Sequence, residues 1–205
     1  MTTGSLRQPI PPAAFAVLRS YLEARGAFTD RDFEAVAAAF VFRRLAAGDF
    51  LQRAGDVSRY AAFVARGCLR NYVIDARGKE HIVQFAPETW WLADSTSLSQ
   101  GVPSQYFMDA IEDSELLLID GPSHQRLVEN VQPYAVAFRT GLQKHAAAKD
   151  QRIVNALSTS AEERYQEFLR DYASIALRVP QSMLASYLGM TPETVSRIRK
   201  HLSRK

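Results

Sequence analysis

Residues Gln181–Lys200 read QSMLASYLGMTPETVSRIRK, and this stretch decides how the rest of the chain is understood. Leu184, Ala185 and Leu188 recur at helical spacing and form the inner face of one short helix, and Gly189 supplies a residue able to take a positive φ at its end. Thr191-Pro192 is an N-cap followed by proline at the first helical position, so a second helix starts there. Val195 and Ile198, three residues apart, bury that helix against the first, and the small Ala185 sits where the two cross. Two short helices joined by a three- or four-residue turn are the arithmetic of a helix-turn-helix. With those positions inward, the outward face of the second helix is Glu193, Thr194, Ser196, Arg197, Lys200 and His201, a row of hydrogen-bonding groups.

Such a face suits the major groove of DNA. Arg197 can give two parallel donors to guanine O6 and N7, Glu193 can accept from cytosine N4, and Ser196 or Thr194 can reach a base edge or a thymine methyl. Thr191, Arg199, Lys200, Arg204 and Lys205 are the candidates to contact phosphates. The charge distribution agrees. From Arg178 onward six Lys or Arg face one acid, Glu193, a local +5 that leaves −2 for the rest of a chain whose net charge is +3. A solvated basic helix would account for the charge, but not for its coincidence with the Ala-Gly-Val-Ile spacing and the Thr-Pro cap.

Upstream, residues 13–44 predict two short helices, the second capped by Thr29 or Asp30. From Arg43 the texture becomes short β-prone runs punctuated by Gly48-Asp49, Gly55-Asp56, Gly67 and Gly78, with Arg77-Gly78 joining two runs in a hairpin and "QYFMDAIEDSELLLID" supplying two more strands. Regular short strands of this kind favour an antiparallel barrel or sandwich. After Gly121-Pro122 the period returns to that of a helix. Tyr134, Phe138, Leu142, His145 and Ile153 lie at three- and four-residue steps on one long helix over 133–155, the stripe expected where a helix pairs with its counterpart in a second subunit; packing on its own barrel is the alternative. Ser158-Thr159-Ser160 breaks the pattern, and Ser160 with Glu163 forms a capping box that starts a fresh helix, "AEERYQEFLRDYASIAL". The expected class is α+β: N-terminal helices and an antiparallel β-roll over 1–122, a long dimerisation helix over 123–157, and a helix-turn-helix domain over 158–205.

A single cysteine, Cys68, excludes an internal disulfide and any cluster built on several thiolates of one chain. The N-terminus has no basic stretch followed by an apolar run, and no segment approaches the roughly 20 apolar residues of a bilayer span, so the expected compartment is the cytoplasm, with no membrane partner. A cupin-like metal-dependent β-barrel enzyme is the alternative class. The four histidines, at 81, 124, 145 and 201, include no His-x-His pair, so we assign no catalytic residue, no metal ligand and no cofactor.

"LASYLGMTPETVSRIRKHL" resembles the DNA-reading helices of the Crp/Fnr superfamily of bacterial transcription regulators, and "LAAGDFLQRAGDVSRYAAFVARGCLRNYVIDARGKEHIVQF" follows the Gly-Asp and Gly punctuation of that family's cyclic-nucleotide-binding jelly roll. The resemblance implies a β-roll sensor, a long dimerisation helix and a C-terminal reader acting as a homodimer on double-stranded DNA, with RNA polymerase as a further partner. The Glu193, Ser196, Arg197 order resembles the Fnr-type recognition helix and implies a palindrome of TTGA-like half-sites. With the sequence ending at Lys205, the hairpin wing usual after that helix is not expected. Nucleotide-binding members carry a Gly-Glu pair and, about ten residues on, an Arg-Ser or Arg-Thr pair that holds the cyclic phosphate. Here Ala93-Asp94 takes the first place and Val102–Gln105 contains no arginine, so an anionic phosphate lacks its cation and cyclic nucleotide is not the expected effector. A cyclic-nucleotide-responsive regulator remains the nearer alternative. Haem ligation by His81 or His124 is disfavoured because a lone histidine is more often an ordinary surface or core residue. Phe85, Trp90, Trp91, Asp94, Ser104 and Tyr106 are the candidates to line an effector pocket of unknown ligand, the aromatics having simple core packing as their alternative role.

Overall fold

The computed structural model describes residues 8–203, with the side chains of Lys144 and His145 outside the description. Two helices open it, α1 (Pro12–Glu23) and α2 (Asp30–Ala39), the second closed by a capping box in which Thr29 and Asp32 satisfy each other's backbone N–H. Eight strands follow: β1 (Val41–Leu45), β2 (Phe50–Gln52), β3 (Tyr60–Arg66), β4 (Leu69–Ile74), β5 (Glu80–Ala86), β6 (Trp91–Leu92), β7 (Phe107–Ala110) and β8 (Ser114–Asp120), with a short α3 (Ser95–Gln100) between β6 and β7. The chain ends in α4 (Gly121–Asn130), the 27-residue α5 (Gln132–Ser158), α6 (Ala161–Asp171), α7 (Gln181–Leu188) and α8 (Pro192–Leu202). The strands form two four-stranded sheets, ordered β1-β8-β3-β6 and β2-β7-β4-β5.

The described chain divides into two compact units. The first holds residues up to Asn71 and Phe85–Leu142; the second holds Tyr72–Gln84 and everything from Gln143 on. In the first unit β3 and β8 are buried on both faces. Ala62, Val64, Leu116 and Leu118 point into the roll with Leu69, Leu92, Met108 and Ala110. Their alternate neighbours Phe63, Ala65, Leu117 and Ile119 pack under α1, α2, α4 and the start of α5. This is why the two strands read as unbroken apolar runs rather than alternating ones. Gly67 turns the chain from β3 to β4 at φ +90°, and a Cβ there would lie 2.7 Å from the carbonyl oxygen of Asp113, so only glycine fits.

Two expectations are corrected here. Tyr134 does not belong to an exposed stripe: it is 1% exposed and packs with Leu127, Val131 and Ala137, while its hydroxyl lies 3.0 Å from Nδ1 of His124. The first turns of α5 complete this unit's own core, and burial there raises the Tyr134 phenol pKa. The helix read over 161–177 stops at Asp171. Tyr172, Ile175, Ala176 and Val179 stay buried, but short turns such as Ile175 N–H to Tyr172 O (3.0 Å) carry them onward to Pro180.

The turn Pro87–Trp90 holds a residue of the wrong type. Thr89 has φ +68°, and Trp90 N–H donates to Pro87 O at 3.1 Å, so threonine fills the third position of a turn that favours glycine there. A β-branched side chain in this region costs roughly 1–3 kcal/mol. Thr89→Gly is expected to raise stability by about 1 kcal/mol, the strain relief minus the added unfolded-state entropy, as read by an upward shift of the urea midpoint.

Candidate nucleic-acid interface

The second unit builds its surface from three helices. Ser160 starts α6: its hydroxyl accepts from Glu163 N–H at 3.3 Å while the Glu163 carboxylate accepts from Ser160 N–H at 2.8 Å. The Ser160 backbone N–H, and after it the Ser160 hydroxyl, hold the Glu163 carboxyl below the usual carboxylate range. Gly189, at φ +66°, ends α7, and Met190 N–H returns to Ala185 O at 2.9 Å. Two residues later Thr191 caps α8, its hydroxyl accepting from Thr194 N–H at 3.3 Å, and Pro192 occupies the first turn. Gln181 Nε2 donates to Pro192 O at 2.7 Å, tying the start of α7 to the start of α8. Leu184, Ala185, Leu188, Val195 and Ile198 are all buried between these helices.

What remains outward on α8 is the predicted row. Glu193, Ser196, Arg197, Lys200 and His201 are exposed and Thr194 is half-buried; Arg197 pairs with no carboxylate among the described residues. The Glu193 carboxyl is held below its usual range, first by a backbone N–H at the helix start and then by Thr191, so it stays an ionised acceptor. His201 Nε2 lies 4.0 Å from Glu162. Arg199, read as a phosphate contact, turns inward: Nε donates to the Tyr165 hydroxyl at 2.9 Å and a second nitrogen to Ala176 O at 3.4 Å, bracing α8 on α6 and on the turns after it. Arg204 and Lys205 lie outside the described residues, as does the side chain of His145.

Sequence reasoning missed a guanidinium in this unit. Arg152, on α5, donates to the carbonyls of Val83 and Ile82 on β5 and to Tyr187 O on α7, and sits 3.9 Å above the Tyr187 ring. Beside it the Ser186 hydroxyl accepts from Ile82 N–H (3.0 Å) and donates to Glu80 O (2.8 Å). Nothing in the spacing of Arg152 marks it out, because its partners lie far away in sequence.

The predicted effector residues fall in the first unit, and the structure brings only some of them together. Trp90 and Tyr106 pack on the core inside the roll, and Phe85 is fully buried. Trp91, next to Trp90 in sequence and the first residue of β6, faces the other way, with ring centroids 5.3 Å from Phe63 and 6.0 Å from Phe40. Asp94 is committed to its own loop: it accepts from the Ser104 hydroxyl at 2.7 Å and from Thr96 and Ser97 N–H at 3.1 Å, capping α3. Ser97 in turn accepts from Ser58 N–H at 2.9 Å. The guanidinium nearest in kind, Arg70, is held elsewhere by Asp109, in two parallel bonds of 2.7 and 2.9 Å.

Comparison with known proteins extends this picture. Residues 42–131 match the model of the cyclic nucleotide-binding domain and residues 151–205 that of the Crp-like helix-turn-helix domain. No curated protein matches the sequence significantly. Among solved structures, FixK2 from Bradyrhizobium japonicum superposes with a TM-score of 0.68 at 20% identity, over 80% of this chain and 85% of that one. The c-di-GMP responsive global regulator CLP of Xanthomonas campestris gives 0.67 at 17%, over 86% and 92%. A CooA mutant from Carboxydothermus hydrogenoformans gives 0.65 at 20%, over 82% and 78%. At these identities the likeness speaks for the fold alone, whereas the two domain models, in this order and spanning most of the sequence, match it directly. With a roll, a long helix and a capped pair of helices presenting a polar face, the chain belongs to the Crp/Fnr family of DNA-binding transcription regulators, not of enzymes.

Proposed function

We propose that this regulator acts as a homodimer on a palindrome of TTGA-like half-sites and that its roll is not controlled by cyclic nucleotide. The observation that carries the first part is the exposed row Glu193, Ser196, Arg197 and Lys200 on a helix whose opposite face, Val195 and Ile198, is buried. Arg197 forks onto guanine, Glu193 accepts from the paired cytosine or a neighbouring adenine amino group, Ser196 sits against thymine, and Thr191 and Lys200 meet phosphates, with Arg204 and Lys205 beyond them. Arg199, engaged by Tyr165, positions α8 instead of touching phosphate. A dimer is supported by the apolar side chains that α5 leaves exposed, Phe138, Leu142, Ile153, Val154 and Leu157, the last 84% exposed. RNA polymerase fits as a further partner, with Leu177, 97% exposed between buried Ala176 and Val179, offering it an apolar contact.

Selection from random duplexes, followed by binding across a salt series, tests the reading. Arg197→Ala is expected to relax discrimination at the guanine and weaken specific binding by about 1–3 kcal/mol. Lys200→Ala is expected to weaken matched and scrambled sites alike and to lower the salt slope by about 1. Equal losses for Arg197→Ala on both kinds of site would remove its base-reading role.

The nearer alternative, a cyclic-nucleotide-responsive regulator, draws on the domain model over 42–131 and on relatives such as CLP, described as c-di-GMP responsive. Against it, the loop from Asp94 to Gln105 carries a carboxylate and no cation, and Asp94 and Ser104 already satisfy each other. Titration calorimetry with cyclic AMP and cyclic GMP is expected to show no binding; a micromolar dissociation constant for either would decide for the alternative.

A further inference from the structure

The exposed face of α5 is apolar except at one position. Leu142 and Ile153 are 57% and 61% exposed, and Ala146 and Ala156 are exposed with them. Lys149 stands among these: it follows Ala146 by three residues and precedes Ile153 by four, the steps that put side chains on one side of a helix. Leu142 lies seven residues before it and Ala156 seven after. The other side of the same turns is committed to the chain's own contacts, Arg152 to β5 and α7 and Asn155 to Glu167. Asp150 follows Lys149 at the flank of the stripe. Both charges are exposed, and neither is joined to another side chain among the described residues. A helix offers ion-pair partners three and four residues away, but no acid stands at those steps from Lys149 and no base at those steps from Asp150.

A lysine in the middle of an apolar stripe is costly to cover unless the facing surface brings a counter-charge. A second copy of α5 brings one. Two copies of α8 that meet half-sites ~34–36 Å apart on one duplex require the two copies of α5 to run parallel. Ala146 and Ile153, seven apart, then occupy one seam position, and Leu142, Lys149 and Ala156 the other, with Asp150 on the flank that borders the seam. We propose that Lys149 of each copy pairs with Asp150 of the partner subunit across the seam of the α5 homodimer, the assembly on which this inference rests. The two symmetry-related pairs select the partner and fix the register. A slip of one heptad sets Lys149 against Gln143 or Leu157, neither of them an acid, so only the in-register pairing satisfies both charges.

Sedimentation equilibrium on the full chain tests the pairing. Lys149→Glu and Asp150→Lys, each alone, set like charges against each other on both sides of the seam and are expected to raise the dimer dissociation constant by roughly tenfold or more. The chain carrying both changes restores opposite charges and is expected to return to within about threefold of the unsubstituted one. Mixed together, the Lys149→Glu chain and the Asp150→Lys chain are expected to form heterodimers in preference to either homodimer, a result that only contact between subunits produces; ion exchange separates the three species by charge. Both positions are exposed, and far-ultraviolet circular dichroism verifies that each variant keeps its helices. An unsubstituted chain that sediments as a monomer, its α5 stripe then left for another partner, would overturn the homodimer and this pairing together. A dissociation constant unchanged in both folded single variants, or a mixture without an excess of heterodimer, would overturn the pairing and leave the homodimer standing.

Discussion

Replacing Arg70 by leucine is expected to cost about 3–5 kcal/mol of folding free energy, because it leaves a carboxylate without its cation inside the protein. The side chains of Arg70 and Asp109 are only 10% and 7% exposed, and two parallel bonds of 2.7 and 2.9 Å join them. Neither charge can recover its hydration while the sheet holds them there, so removing the cation exposes the full desolvation penalty of the carboxylate. The sharper part of the prediction is the double variant. Arg70→Leu with Asp109→Leu removes both charges together and is expected to recover most of the loss, since well-packed apolar pairs replace buried ion pairs at little cost. Both tryptophans of the chain, Trp90 and Trp91, lie in the first unit, so urea unfolding followed by their fluorescence reports this unit directly. A single-variant loss below about 1 kcal/mol would mean that the pair is hydrated in solution and behaves as a surface salt bridge.

Phe63→Ala is expected to lose a similar 3–5 kcal/mol, through a different cause. Phe63 is completely buried on the helix side of β3, edge-on to Tyr21 at 5.2 Å and to Trp91 at 5.3 Å between ring centroids. Truncation opens a cavity beneath α1 that rigid neighbours on a two-sided strand cannot close, and it removes two aromatic contacts worth roughly 0.5–1.5 kcal/mol each within that total. The same fluorescence measurement reads it as a lower urea midpoint with unchanged slope. Phe63→Leu, which keeps most of the volume, is expected to cost under about 1.5 kcal/mol. Equal losses for alanine and leucine would show that ring geometry, not volume, sets the stability at this position.

The recognition helices were legible because their signals are local. A cap at Thr191, a proline after it, a glycine at positive φ and buried positions within a few residues are all written within one short stretch, and the structure reproduces each of them. The roll was legible by its turns and only partly by its strands. In β3 and β8 both faces are buried, so the alternation that tells inside from outside is absent, and Trp90 and Trp91, adjacent in sequence and alike in type, pack against different clusters. Tyr134 was misread for the opposite reason: helical spacing gives a face but does not say what covers it, and here the chain's own α4 does. Long-range polar contacts were invisible, apart from one trace. A single acid inside the apolar run "YFMDAI" and a single arginine inside "CLRNYVI" are each out of place, and pairing the two oddities would have pointed to Arg70 and Asp109. Arg199 carried no such trace, since an arginine facing a neighbouring helix and one facing solvent look alike in sequence.

The grip of Arg152 has a consequence for how the DNA-reading unit comes into being. Its guanidinium closes loops to Val83 and Ile82, 69 and 70 residues upstream, and to Tyr187, 35 residues downstream. The unit is therefore not a contiguous piece of chain: residues 72–84 are made early in synthesis and wait for α5 and α7 to arrive. Closing contacts of that span costs chain entropy before they return any energy, which places them late in assembly. A fragment cut out as residues 151–205 would keep every side chain proposed to read bases and yet lose the strand edge against which Ser186 and Arg152 are held.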